Sequence, residues 1–238
     1  MSGRDHLQTI QEGCSMKLIG ISGLARSGKD LFTTVAQEVL KENGIKSEKF
    51  ALAYELKSDL KDLIHTKTGI NVFTENTEEK NIIRPLLVAY GDVMRKISGG
   101  KYWTQKIEQS IGKSKADVVF ITDIRYDHYP EDECTWLKFK QSGKLIHITK
   151  YQFGPLPQGK RFSKNKLTKI YQSAPNEHEL VNDPKVKKRA DIAIEWEDVS
   201  LKNEGDITKN PQIRKIVTDA LTEIGVLKEK SIIDDYRN

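Results

Sequence analysis

Lys17-Leu-Ile-Gly-Ile-Ser22, followed without a break by Gly23-Leu-Ala-Arg-Ser-Gly-Lys-Asp30, is the stretch that decides the fold. A short apolar run ended by a glycine-rich turn reads as a buried strand. Beyond it, Phe32, Val35, Ala36, Val39 and Leu40 recur at helical spacing, and Gly44 stands where a left-handed C-terminal cap belongs. The turn between strand and helix follows the phosphate-loop pattern G-x-x-x-x-G-K, except that Asp30 replaces the usual Ser or Thr. Gly23 and Gly28 let the backbone wrap a phosphate with its N–H groups, and the helix N-terminus adds partial positive charge. Lys29 can reach the β- and γ-phosphates of ATP. Leu24, Ala25, Arg26, Ser27 and Leu31 complete the expected ATP-contacting stretch. The Asp30 carboxylate can hold magnesium directly or through water, and Arg26 offsets its charge.

Working outward, strands are expected at Lys49–Ala53, Val118–Thr122, Lys144–Thr149 and Asp191–Trp196. Apolar stripes between them predict helices: Leu56 to Ile64, Thr77 to Tyr90, Tyr102 to Ile111, and a segment around Trp136, Leu137 and Phe139. In the last helix Asn210 serves as cap, Pro211 fits the first position, and Ile213, Ile216, Val217, Ala220, Leu221 and Ile224 form one face. Strands alternating with helices predict a mostly parallel sheet covered on both faces, an α/β/α sandwich of three layers. Residues 151–190 break the pattern with four of the seven prolines and the basic run Lys160, Arg161, Lys164, Lys166 and Lys169. They read as a mobile lid insertion in a domain spanning 16–228, between a polar extension at 1–15 and a tail at 229–238.

Composition agrees with this class. The 238 residues include 39 basic and 34 acidic side chains, a formal charge of +5. That balance suits an acidic ligand such as a nucleotide and does not demand nucleic acid. No run approaches the ~18 apolar residues of a membrane span, and the first residues hold no apolar signal region. Two cysteines, Cys14 and Cys134, cannot build a disulfide framework or a four-thiolate zinc site, so a reducing, cytoplasmic setting is expected.

A second site follows the strand at Val118–Thr122, in Asp123-Ile-Arg125. Ligands of parallel sheets gather beyond the carboxyl ends of the strands. An acid there organises magnesium and its waters, and the planar fork of Arg125 suits a phosphate.

With both sites in view, the chain resembles the bacteriophage deoxynucleoside monophosphate kinases. The resemblance runs from Lys17 to about Leu227. It covers Ser22 to Asp30, Phe50-Ala-Leu-Ala53, Arg84 leading to Gly91-Asp92, Tyr102-Trp103, Thr122-Asp-Ile-Arg-Tyr-Asp-His128 and Lys144 to Thr149. Animal-type phosphomevalonate kinases are similar in the same places. The resemblance implies a P-loop kinase fold with a lid, ATP and magnesium as cofactors, and a deoxynucleoside monophosphate as partner. It also implies the host cytoplasm for a phage-encoded chain, no membrane, and a homodimer as one possible assembly. By resemblance Lys29 and Arg26 contact the transferred phosphate, while Arg84, Gly91, Asp92, Trp103, Asp123 and Arg125 line the monophosphate site. Three places depart from the family pattern: Tyr129 where an acid is usual, Pro85 and Val88 where polar contacts are usual, and Asp92 where Thr is frequent.

A nucleoside monophosphate is already ionised near neutral pH, its second pKa being roughly 6, so no strong general base is needed. Positioning and charge neutralisation suffice. The lid would exclude water, with Lys160 and Arg161 as its cations. Trp103 either stacks a base or packs its helix onto the core. The other classes to weigh are a nucleic-acid-binding module using the 160–169 run as a phosphate track, and a nucleotide-binding switch without phosphoryl acceptance.

Overall fold

The computed structural model describes residues 16–155, 167–198 and 205–228. Strand β1 (Lys17–Ser22) lies between β3 (Val118–Ile124) and β4 (Lys144–Pro155), parallel to both. Strand β2 (Ser47–Phe50) pairs with β3, and β6 (Ile192–Glu197) pairs with β4 on the side away from β1, both parallel. The parallel order is therefore β2-β3-β1-β4-β6. The outer half of β4 pairs antiparallel with β5 (Leu167–Tyr171).

Side chains alternate across the pleat and divide the core in two. Ile19, Ile21, Phe120, Ile146 and Ile194 point to one face, packed by α1 (Lys29–Glu42) and α7 (Pro211–Glu223). Leu18, Val119, Ile121 and Leu145 point to the other. That face is covered by α4 (Lys101–Ile111), by α6 (Glu177–Arg189), and by the short helix α5 (Glu133–Thr135) with the π-helical turn Trp136–Lys140 that continues it. Helices α2 (Leu52–Thr68) and α3 (Thr77–Ser98) share a smaller cluster of Leu60, Ile64, Val72 and Ile83. The result is the expected three-layer α/β/α sandwich. Asn210 caps α7 as expected, its side chain accepting from the N–H of Gln212 and Ile213.

One expectation is corrected. The sequence predicts a lid insertion over 151–190, yet this stretch holds the end of β4, β5 and α6, and only 156–166 lies outside the described residues. Helix α6 is the crossover between β4 and β6, and buries Val186 against the sheet. The apolar signal was missing because Val186 is its one buried residue and Pro184 lies within it. No helix among the described residues is long and apolar enough to cross a membrane.

Candidate active site

The glycine loop sits beyond the carboxyl end of β1. Gly23 has φ +132°, and a Cβ there would stand 2.2 Å from the Ile148 carbonyl oxygen. Gly28 has φ +97°, and a Cβ would meet the Trp196 ring at 2.4 Å. Space and backbone dihedral both demand glycine at these two positions. The Lys29 ammonium is buried and donates to the carbonyl oxygens of Gly23 (2.8 Å) and Leu24 (2.7 Å). Burial and then the nearby Arg125 charge push its pKa down to about 8, against the opposing pull of Glu179, Asp123 and Asp30. The Ser27 hydroxyl is buried in the loop with no hydrogen-bond partner among the described residues. An unpartnered hydroxyl, a wrapped backbone and a desolvated ammonium together fit a polyphosphate.

On one side of the loop lies a cleft of about 650 Å³. Arg84 and Asp92 enter it from α3, Arg125 from the turn after β3, and His178, Glu179 and Asn182 from α6. Pro85, Val88 and Ala89 give the α3 wall an apolar stretch. The turn bearing Arg125 is held from behind by Glu133, whose carboxylate accepts from the N–H of Arg125 (2.6 Å) and Tyr126 (3.1 Å). Burial raises the Glu133 pKa to about 8, opposed by the Arg125 N–H. Beside it Arg95 makes a buried bidentate pair with Asp132, and its guanidinium lies 3.4 Å from the Tyr126 ring centroid. Asp132 also accepts from the N–H of His128 and Tyr129, both at 2.8 Å. This buried network fixes the path of the turn.

On the other side lie two smaller clefts, about 170 and 220 Å³, that share Arg26, Lys150 and Asp198. Gly28, Leu31 and Trp196 line the first, and Tyr171 and Gln172 the second. Gln172 donates to the Ala25 carbonyl at 2.5 Å, which ties the end of β5 to the loop, and its own amide oxygen is buried without a partner among the described residues.

The structure thus brings Gly23, Arg84, Asp92 and Arg125 together in one cleft. Three expectations are corrected. Arg26, at the loop tip with φ +65°, faces the smaller clefts and not the cleft of Arg84 and Arg125. Trp103 is 3% exposed, donates to the Gly91 carbonyl and packs against Tyr90 and Tyr102, so Trp103 and Gly91 are core contacts of α3 and α4. Asp123 spends both carboxylate oxygens on the N–H groups of Leu52 and Ala53, each at 2.8 Å, and so caps α2. Burial raises its pKa, with those two N–H groups opposing. Asp30 is exposed at the start of α1, 3.8 Å from Lys49. No cluster of three or more His, Cys, Asp or Glu able to hold a metal exists among the described residues. Lys160 and Arg161 lie outside the described residues.

Sequence reasoning missed Glu133, His178, Glu179 and Asn182. The first sits in an acidic run that composition alone assigns to the surface. The other three lie on α6, whose start is marked by Asn176-Glu177-His178-Glu179, a capping-box spacing that would have located it.

No family model matches the chain, and no curated protein matches it. Among solved structures it is similar to a shikimate kinase from Aquifex aeolicus, at 14% identity over 87% of this chain and 95% of that one, TM-score 0.37. It is also similar to a shikimate kinase from Acinetobacter baumannii in complex with shikimate, at 12% identity over 94% and 97%, TM-score 0.37. Similarity at this level assigns no activity to the chain.

Proposed function

We propose that the chain transfers the γ-phosphoryl group of ATP to a deoxynucleoside 5′-monophosphate. One observation carries the reading: the glycine loop with its buried Lys29 borders a cleft into which Arg84 and Arg125 both project. A cleft holding two guanidinium groups beside a phosphate loop suits an acceptor that is itself a phosphate. Its apolar α3 wall of Pro85, Val88 and Ala89, with the polar ends of His178 and Asn182 opposite, suits a flat heterocycle more than a short branched acid. The smaller cleft lined by Gly28, Leu31 and Trp196 is on the other side of the loop, where the nucleoside part of ATP would lie.

In this reading the loop N–H groups and Lys29 hold the donor phosphates. Arg84 and Arg125 hold the acceptor phosphate in line and neutralise charge as it spreads over the transferred group. The acceptor is already ionised near neutral pH, so no side chain has to take a proton. Magnesium bound to the phosphates supplies further charge neutralisation, and Asp30, open to solvent beside Lys29, is the carboxylate that would hold it through water.

The test is ADP release from magnesium ATP with the four deoxynucleoside monophosphates, their ribose counterparts and phosphomevalonate as acceptors. We expect release that depends on a deoxynucleoside monophosphate and is lost in Lys29→Ala. Release with phosphomevalonate alone would replace the acceptor, and silence with every acceptor would overturn the reading.

A further inference from the structure

Glu179 is the third residue of α6, and Asn176 caps that helix by accepting from the Glu179 N–H at 2.9 Å. In a capping box the glutamate at this position turns back to the N–H of the cap residue. Here its carboxylate keeps only a 3.4 Å hydrogen bond from the Asn176 side-chain amide and otherwise reaches out of the helix. It accepts from the Ala25 N–H of the glycine loop at 2.6 Å and pairs with Arg125 at 3.3 Å. Its side chain is only 12% exposed. Lys29 meanwhile turns to the loop carbonyls of Gly23 and Leu24. The loop N–H, Arg125 and Lys29 are the groups that a phosphate would use, and each already has an internal partner.

We infer that the Glu179 carboxylate stands in for phosphate on the Ala25 N–H and Arg125, so that a polyphosphate binds by displacing it. A carboxylate oxygen and a phosphate oxygen cannot both accept from one N–H, and two anions against the same donors repel. Glu179 also has a second place to go. The N–H groups at the start of α6, two to three residues away in sequence, offer it the capping-box position. The side chain is therefore a two-position element: on the loop when the loop is empty, on its own helix when phosphates arrive. A loop kept paired in this way does not present bare N–H groups and an unbalanced pair of cations to stray anions.

The inference rests on the phosphate-loop reading, and the experiment separates the two. Inorganic tripolyphosphate is titrated into the full chain by calorimetry, for wild type, Glu179→Gln, Glu177→Gln and Lys29→Ala. Glu179→Gln keeps the size and removes the charge, and we expect it to bind about tenfold tighter than wild type, or about 1.4 kcal/mol. Glu177→Gln, an exposed residue on the same turn, should match wild type. Equal or weaker binding by Glu179→Gln overturns the inference. Lys29→Ala binding as well as wild type overturns the phosphate-loop reading itself. Should Glu179→Gln fail to fold, amide resonances of the wild-type chain decide. Tripolyphosphate should shift Asn176 together with Ala25, and an Asn176 amide that stays still while Ala25 moves overturns the displacement.

Discussion

At the scale of single residues, Lys29 shows how a buried cation is held at a cost to the fold. Its pKa falls from 10.5 to about 8 because burial strips water from the ammonium. That fall corresponds to about 3 kcal/mol of destabilisation while the group is charged in both states. Its two bonds to loop carbonyls return about 1 kcal/mol each. Lys29→Met should therefore unfold at slightly higher denaturant than wild type at pH 7, by about 1 kcal/mol, while losing triphosphate binding. The sign follows from proton counting: between about pH 8 and 10.5 the unfolded chain binds more protons at this site, so wild-type stability rises with pH there. The advantage of Lys29→Met should be largest below pH 8 and reverse within that window, because wild type gains about 3 kcal/mol across it. Denaturant titrations at pH 7 and pH 10 check it, and an advantage that grew with pH would reverse the argument. The loop residues were legible because glycine spacing and a lysine are a local pattern. Glu133 was not, since nothing in the string Glu131-Asp-Glu-Cys134 says that its middle is buried: Asp132 is 0% and Glu133 4% exposed. Trp103 carries the same lesson in reverse, because an aromatic beside a site in sequence is a core residue in space.

At the scale of elements, helix starts explain both what the sequence disclosed and what it hid. Helix α7 was legible because its cap is its own neighbour, Asn210, followed by Pro211. Helix α2 begins at Leu52 with Ala51 in the cap position and no side-chain cap of its own. Its cap comes from the end of β3, where Asp123 accepts from Leu52 and Ala53. A cap supplied by a residue about seventy positions away leaves no local trace, and the same Asp123 then reads as a metal ligand. Asp123→Ala should lower stability by about 1–2 kcal/mol, the usual cost of a lost cap. Amide exchange should speed up most at Leu52 and Ala53. Unchanged stability with abolished turnover would instead return Asp123 to the chemistry. Helix α6 lies between these cases. Asn176 and the acids of its first turn, with Lys187, Lys188 and Arg189 in its last, match the helix dipole and were visible in principle. The missing apolar stripe outweighed them, because α6 buries only Val186 and gives its remaining faces to the cleft and to solvent.

At the scale of the whole molecule, the parallel order β2-β3-β1-β4-β6 puts the carboxyl ends of β1, β3 and β4 side by side. The glycine loop leaves β1, the Arg125 turn leaves β3, and β4 runs on to form the antiparallel pair with β5. That is why residues far apart in sequence share one site, and why the three-layer class could be read from alternating strands and helices while the walls of the cleft could not. Periodicity reports which face of an element is buried. It does not report which element the exposed face looks at. The loop divides the site, with the cleft of Arg84 and Arg125 on one side and the clefts of Arg26, Leu31 and Trp196 on the other. Helix α6 ties the first side down through His147 with Asp183 (3.1 Å) and Arg189 with Asp127 (2.7 Å), and Gln172 ties the second to the Ala25 carbonyl. Two ligands should therefore leave two separate footprints in hydrogen exchange. Magnesium ATP alone should slow exchange in residues 23–31 and 196–198, and at Asn176 as Glu179 moves onto its N–H. Adding a deoxynucleoside monophosphate should slow it further in 84–92, 125–133 and 176–183. The exposed face of α7 lies outside both footprints and should not respond. A monophosphate footprint around Lys150 and Tyr171 would exchange the assignment of the two sides, because those residues line only the clefts beyond Arg26.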